Sequence, residues 1–475
     1  MSNSNTQLGN QEKANSFDKR ILYWILAIGL PVLCLLIPTT ATFTPHLRTY
    51  FALTICAILM WAFELLPNLI ISIVLPILYL LLGLAPANVL FASWSNYIPW
   101  LVLGGMILTH VAEETGLLRR VACWSILKTG ASYRGIIYGL TVSGVIISLL
   151  ISDLTARLLL FVSISYAICK ALDLENGGKA SSGIMLAGIF SALNPGYIFF
   201  TSASPTMIAY SAAEKMKIAG VSSSWTDYLF HNGLITLLWC FICAFILDML
   251  FKSERHISSK EYFIEEKRKL GKLSFAEKKM IVFFVLLIIS ILTEPYHHIK
   301  VGWIFPLAAA ALYLPGIGLG KPELLKKLNY PIIIFVTATM TIGAVAGSIG
   351  AAKFITGILT PIMAGSKLYT LVSIWVFGVL INFVMTPLAA ISALSEPIAR
   401  LAVSVGLHPQ AALYAWNQSL EQIILPYEYA LVLLAYGFGY LSLKNLMKAF
   451  SLKMLFNIIF IVVIAVPFWM LIGTF

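Results

Sequence analysis

The segment from Tyr138 to Lys170 constrains this chain most, because it is apolar enough to enter a membrane yet holds an acid and a base at its centre. Its interruption includes Ser152, Asp153 and Arg157. A charged side chain near the middle of a bilayer costs a few kcal/mol unless it is paired or faces a polar cavity. The segment is therefore predicted to form two short helices that meet at a polar tip inside the membrane, and the tip is predicted to form half of a binding site.

The rest of the chain points to a membrane setting as well. Of its 475 residues, 59% are hydrophobic and 11% are charged, which is more apolar surface than a soluble domain of this size can bury. Apolar runs of helical length recur from Ile21 to Phe475, without the alternation that marks the strands of a transmembrane barrel. The predicted fold class is an all-α polytopic membrane protein. The polar start of the chain lacks a signal-peptide pattern, so the first helix is expected to remain in the mature protein.

The basic residues predict the topology. The net charge of +11 is spread over short loops between apolar runs, which is the positive-inside pattern and not the footprint of a nucleic-acid partner. The segment 1–20 is basic at its end, so the N-terminus is expected to be cytoplasmic. Arg134 precedes the interrupted segment, and Lys170 and Lys179 follow it. Both of its ends are therefore predicted to be cytoplasmic, which makes the segment a re-entrant hairpin over 136–170.

A second interrupted segment follows at 182–214. Pro195 and Pro205 free backbone groups that a continuous lipid-facing helix would satisfy, and those groups must find partners in protein, water or ligand. A broken helix is predicted here. Its polar side chains are candidate ligands, and as a cluster they favour a binding site over helix packing: Asn194, Thr201, Ser202, Ser204 and Thr206.

The chain repeats itself across a charged linker at 252–279. The first half, 21–251, and the second half, 280–475, share features at an almost constant offset, and Gly116 recurs as Gly350. At the same offset, Asn96-Tyr97 recurs as Asn329-Tyr330 and Arg119 as Lys353. The second half is thus predicted to contain a hairpin at 368–407 and a broken helix at 411–440.

Counting the predicted spans places the first hairpin on the inner side and the second on the outer side, so the repeats are predicted to be inverted. Paired interrupted segments at matching positions indicate the binding site of a secondary transporter near the midplane. A nucleotide-binding P-loop pattern is absent from the sequence, which disfavours an ATP-driven mechanism.

This layout resembles the divalent anion:sodium symporter family, over nearly the whole chain. The resemblance is carried by Gly104-Gly105, by the run from Ala112 to Arg120, by the run from Gly406 to Pro409, and by the hairpins with their broken helices. It implies about eleven transmembrane helices, two opposed hairpins, a homodimer and elevator-type movement. The family's Ser-Asn-Thr hairpin tips correspond here to Ser152-Asp153-Leu154 and Pro387-Leu388-Ala389.

Asp153 is the sharpest candidate for ion coupling. Its carboxylate, with nearby hydroxyls and freed carbonyls, offers the oxygen ligands that suit Na⁺. It is also a candidate proton carrier, or the partner of Arg157 in an ion pair four residues along a helix. The residues predicted to bind Na⁺ or couple protons are Ser152, Asp153, Thr155, Thr201 and Ser202.

The candidates for substrate binding come from both halves. Arg157 is suited to a carboxylate through its planar fork, or to the neutralisation of Asp153. Glu428 directly follows Pro426 and Tyr427 and is favoured over Glu421. The predicted substrate-binding residues are Ser152, Arg157, Asn194, Ser204, Thr206, Thr386 and Glu428. In contrast, Glu396 and Arg400 are interpreted as a structural ion pair.

The sequence therefore favours a transporter that imports a small organic anion, of the di- or tricarboxylate class, across the cytoplasmic (inner) membrane with Na⁺. The alternative is a Na⁺/H⁺ antiporter or a proton-coupled carrier, because the site is acidic. A membrane enzyme is disfavoured, since the polar breaks lack a metal-ligand cluster or a nucleophile with its base. No catalytic residue and no cofactor besides Na⁺ is expected.

We expect Glu428→Gln to change the KM for the transported anion, because it removes a charge from the second break. Uptake kinetics in proteoliposomes measure this directly. A variant with wild-type kinetics would remove Glu428 from the site.

Overall fold

The computed structural model describes residues 3–63, 65–215, 221, 224–252, 260–383, 387–424 and 430–475. Their regular structure is helical, and no strand occurs in these ranges. Within these ranges, five helices are long and apolar enough to cross a membrane, or as many as seven if each of two bent pairs is one span. The prediction of an all-α polytopic membrane protein is confirmed.

The first half opens with helices that precede the hairpin. Gly116 joins the last two of them in the left-handed conformation, with φ of 82°, and the chain bends there by 69°. Glycine adopts this conformation without steric cost. The helices are α1 (Asn3–Leu36), α2 (Pro45–Ala62), α3 (Asn68–Leu81), α4 (Tyr97–Glu114) and α5 (Leu117–Lys128).

The interrupted segment forms two helices separated by three extended residues. Each arm has 18 residues, which is about 27 Å at the usual rise, so the arms are longer than the two short helices expected from the sequence. The first arm begins before Tyr138, because Ser132 accepts a hydrogen bond from the Gly135 amide and caps the helix there. Each arm is long enough to be a span, so the re-entrant path stays a prediction. The elements are α6 (Tyr133–Leu150), α7 (Leu154–Ala171), α8 (Lys179–Leu193), α9 (Ser204–Lys215) and α10 (Trp225–Leu250).

The charged linker contains a helix that docks on α5. Arg119 pairs with Glu266, and Arg120 donates to Glu277 at 2.6 Å and 3.1 Å. Glu277 also forms a capping box with Ser274, which begins the first helix of the second half. The helices of this region are α11 (Lys260–Leu270), α12 (Phe275–Leu292) and α13 (Val301–Ala311).

The second half repeats the element order of the first. Gly350 takes the place of Gly116, again left-handed, with φ of 80°. The first arm of the second hairpin begins at Lys367, and Tyr133 begins its counterpart 234 residues earlier. The helices are α14 (Tyr330–Ile349), α15 (Ala351–Met363), α16 (Lys367–Ile381), α17 (Pro387–Ser404), α18 (Pro409–Leu420), α19 (Ala430–Tyr436) and α20 (Leu443–Leu471).

The helix before each break, α8 or α18, is the centre of its half. Every residue of α18 is buried, as is every residue of α8 from Ser181 onward. Each packs against both arms of its hairpin. Gly144 in α6 faces the carbonyl of Ser191, and Gly378, at the equivalent position in α16, faces the hydroxyl of Ser419. A Cβ at either glycine would collide with these atoms, so the sequence sets how closely the arms approach.

In each half, the helix that follows the break packs on the hairpin of the other half. The helix after the first break, α9, packs on α17 of the second hairpin. The helix after the second break, α19, packs on α7 of the first hairpin. Two further helix pairs join the halves, since α4 packs on α13 and α3 packs on α14. This packing brings described residues of both breaks and both hairpins beside one another.

We expect Gly144→Ala and Gly378→Ala each to lower the free energy of unfolding by about 1–3 kcal/mol, as overpacking of a filled core does. Gly357→Ala is the matched control, because a Cβ there meets open space. It is expected to be neutral or slightly stabilising, since alanine is the better helix former. Melting temperatures of the purified variants measure the difference. Equal melting of Gly144→Ala and Gly357→Ala would contradict the close approach of α6 to α8.

Candidate functional site

The tip of the first hairpin is an N-cap. Asp153 has extended backbone angles, and its Oδ1 accepts the amides of Thr155 at 2.8 Å and Ala156 at 3.3 Å. Aspartate is among the preferred residues for this position, because the first amides of a helix have no partner within it. The carboxylate therefore lies at the positive end of α7, where the helix dipole stabilises it.

Arg157 joins the tip to the first break. Its guanidinium is fully buried, and Nη1 donates to the carbonyl of Ile151 at 3.2 Å. Ile151 is the residue that ends α6, so the cation offsets the negative end of that helix. A Cβ on Gly196 would lie 2.8 Å from Nη2, so a larger residue there would displace the guanidinium. The ion pairs among the described residues do not include Asp153 with Arg157.

The first break consists of two 3-10 turns between α8 and α9, at Asn194–Tyr197 and Phe200–Ser202. Its hydroxyls form hydrogen bonds to two neighbouring helices. Ser202 donates to the carbonyl of Ser148 in α6 at 2.8 Å. Thr201 accepts from the indole of Trp225 at 3.2 Å. These two side chains thus hold the break against α6 and α10.

The second break begins at Glu421, which ends α18. Its carboxylate accepts a hydrogen bond from the hydroxyl of Tyr197 at 2.7 Å, and Tyr197 belongs to the first break. The two breaks are therefore in direct contact. Two of the predicted site residues, Thr386 and Glu428, lie outside the described residues, so their assignments stay predictions.

One cavity of about 220 Å³ lies where these elements meet. Both hairpins and both breaks contribute to its wall, and α4 and α14 close it. The lining residues are Val102, Met106, Ser152, Asp153, Leu154, Thr155, Ser204, Pro205, Met207, Ile332, Pro387, Leu388 and Glu421.

The first residues of three helices face this cavity. They are Leu154 of α7, Ser204 of α9 and Pro387 of α17. The N-terminus of a helix carries partial positive charge and amides without helical partners, which together favour an anion. The carboxylates of Asp153 and Glu421 lie in the same wall, so the cavity combines sites for negative and positive charge.

The predicted site residues divide into two groups. Ser152, Asp153, Thr155 and Ser204 line the cavity. The others that the structure describes are buried around it without lining it: Arg157, Asn194, Thr201, Ser202 and Thr206. The structural ion pair expected between Glu396 and Arg400 forms, at 2.9 Å.

Glu421 is the lining residue that sequence reasoning passed over in favour of Glu428. The sequence did contain a reason to select Glu421, because an ionisable residue inside a membrane segment is a functional candidate by default. Glu421 ends the buried helix α18 and is 5% exposed. Glu428 was favoured because it lies closer to Pro426 in the sequence. The contact of Glu421 with Tyr197 depends on the tertiary fold and leaves no mark in the sequence.

Two hairpins and two broken helices around one cavity are the arrangement of a secondary transporter. A family model described as the sodium:sulfate symporter transmembrane region matches residues 18–475. The chain belongs to this family, which confirms the resemblance to the divalent anion:sodium symporters.

Individual relatives agree with the family at low identity. The sodium-dependent dicarboxylate transporter SdcS of Staphylococcus saprophyticus is 24% identical over 453 residues, 89% of this chain and 85% of that protein. Dicarboxylate transporter 2, chloroplastic, of Spinacia oleracea is 24% identical over 177 residues, 36% of this chain. That match spans 31% of the spinach protein.

The fold has a solved counterpart. The crystal structure of the YdaH transporter of Alcanivorax borkumensis, a protein of unusual topology, superposes with a TM-score of 0.52. The sequences are 15% identical, and the match covers 82% of this chain and 90% of that chain. At this identity the likeness concerns the fold alone.

We expect Asp153→Asn to abolish ion coupling while expression and stability stay near wild type, because asparagine also caps helices but carries no charge. Asp153→Ala is expected to lose the cap as well, at about 1 kcal/mol. Substrate uptake with and without a Na⁺ gradient, together with melting temperature, separates the two effects.

Asp173→Asn is the matched control, an exposed aspartate in the loop after α7. It is expected to behave as wild type. Unchanged Na⁺ dependence in Asp153→Asn would show that the carboxylate only caps the helix.

Proposed function

We propose that this protein imports a small organic anion, of the di- or tricarboxylate class, by secondary active transport coupled to Na⁺. The observation that carries the proposal is the cavity faced by three helix N-termini. Its volume of about 220 Å³ lies below the 300–1,000 Å³ typical of pockets for drug-sized ligands, which favours a small substrate. Both of the relatives described above are named dicarboxylate transporters.

The coupling ion is proposed to bind beside the first hairpin tip. Ser152, Asp153 and Thr155 bring carboxylate and hydroxyl oxygens to one wall of the cavity. Hard cations prefer such oxygen ligands, and a bound cation would offset the Asp153 charge as the anion arrives. The relative from Staphylococcus saprophyticus is named sodium-dependent.

Alternating access is proposed to follow an elevator motion. The hairpins and the buried helices α8 and α18 would move as one body against α3, α4, α13 and α14. The joints at Gly116 and Gly350 connect the two groups through α5 and α15, and both adopt the same left-handed conformation. A homodimer in the cytoplasmic membrane, with its N-terminus inside, completes the proposal.

A proton-coupled carrier or a Na⁺/H⁺ antiporter is the second candidate. It is favoured by the two carboxylates, Asp153 and Glu421, that line the same cavity. A carboxylate that takes up a proton in one state would carry it across in place of Na⁺.

We expect the purified protein to be stabilised thermally by one or more di- or tricarboxylates, and more strongly in Na⁺ than in K⁺ at equal ionic strength. A ligand that binds only the native state raises the melting temperature in this way. The anion found is then tested for uptake into proteoliposomes.

Accumulation that requires a Na⁺ gradient supports the main proposal. Accumulation driven by a pH gradient alone supports proton coupling. Na⁺/H⁺ exchange without any carboxylate uptake would replace the anion transporter with an antiporter.

A further inference from the structure

Lys453 is a buried cation that neither the cavity nor the family assignment explains. It lies in α20, is 1% exposed and does not line the cavity. Its ammonium lies 5.6 Å from the ring centre of Phe190 and 5.7 Å from that of Phe450. A lysine is costly to bury, so its position needs a compensating negative charge.

The compensation comes from the end of α18. The Lys453 ammonium donates to the backbone carbonyl of Glu421 at 3.0 Å. The last carbonyls of a helix have no partner within it and carry partial negative charge. The cation therefore lies at the negative end of a helix that stops at the second break.

The Glu421 side chain adds a full charge at the same place. One oxygen accepts from Tyr197, and the other, Oε2, has no hydrogen-bond partner among the described residues. Glu421 lines the cavity, whereas Lys453 lies behind it. The thiols of Cys243 and Cys240 in α10 also lie near the lysine.

A helix end with a carboxylate beside a cavity would otherwise favour a small bound cation. The ammonium already supplies one positive charge at this helix end. We propose that Lys453 is a resident cation at the end of α18, so that Glu421 binds no Na⁺ and the coupling ion binds at the first hairpin. The inference rests on the proposed function in one respect, namely that Na⁺ is the coupling ion.

The proposal is tested with Lys453→Met in the full-length protein, by melting temperature over a Na⁺ series in which choline keeps the ionic strength constant. Removal of the ammonium takes its positive charge away from the Glu421 carbonyl and leaves Arg157 as the remaining cation near the Glu421 carboxylate. Lys453→Met is therefore expected to gain a Na⁺-dependent rise in melting temperature beyond that of wild type. Lys453→Arg keeps the charge and is expected to respond as wild type.

Two controls make the result specific. Lys448→Met makes the same change at an exposed lysine of α20 and is expected to leave the Na⁺ response unchanged. The double variant Glu421→Gln with Lys453→Met removes both charges and is expected to lose the gained response.

A folded Lys453→Met variant with the Na⁺ response of wild type would overturn the proposal. If that variant is recovered folded in Na⁺ but not in choline, the proposal is supported. If both it and the double variant fail to fold in either salt, the lysine is needed for packing and the proposal fails. The melting experiment needs no transported substrate, so a negative carboxylate screen would sink the proposed function and leave this test intact.

Discussion

The backbone groups at the helix interruptions are the constraint on which the rest of the structure depends. An amide or carbonyl freed inside an apolar core must find a partner within the protein, since no bulk water reaches it. Charged side chains serve this purpose here. Asp153 accepts the first amides of α7, Arg157 donates to the carbonyl of the residue that caps the end of α6, and Lys453 donates to the residue that caps the end of α18. The residues that stabilise the breaks thereby also determine the electrostatics of the cavity.

The reciprocal packing of the two halves explains why both halves line the same cavity. Each helix that follows a break packs on the hairpin of the other half, so neither half can close a site alone. The equivalent glycines, Gly144 and Gly378, hold each hairpin arm close to its central helix. The same closely packed arms and central helices therefore surround both the tips and the breaks. Close packing of this kind preorganises a low-dielectric site for ligand binding.

Membership of the sodium:sulfate symporter family accounts for the architecture, while the charges at the site come from particular residues of this chain. The first hairpin tip carries an acid directly after Ser152, and the second break combines Glu421 with a buried lysine. Fixed charges inside the fold reduce the number of ions that a transporter must bind to neutralise its substrate. In the proposed mechanism, the first half would exchange its ion with solution and the second would keep a charge of its own.

The sequence by itself determined the helical class, the repeat and the places where helices stop, because hydrophobic period, proline and glycine act locally. It also identified Ser152, Asp153, Thr155 and Ser204, which line the cavity, from their position at interruptions. The tertiary structure alone decided that Arg157 lies behind the tip and that Glu421 meets Tyr197. The contact between Glu421 and Tyr197 joins residues 224 positions apart, one in each half, so it carries no local signal in the sequence. The contact between Arg157 and Ile151 spans six residues, but it depends on how the chain turns at the hairpin tip.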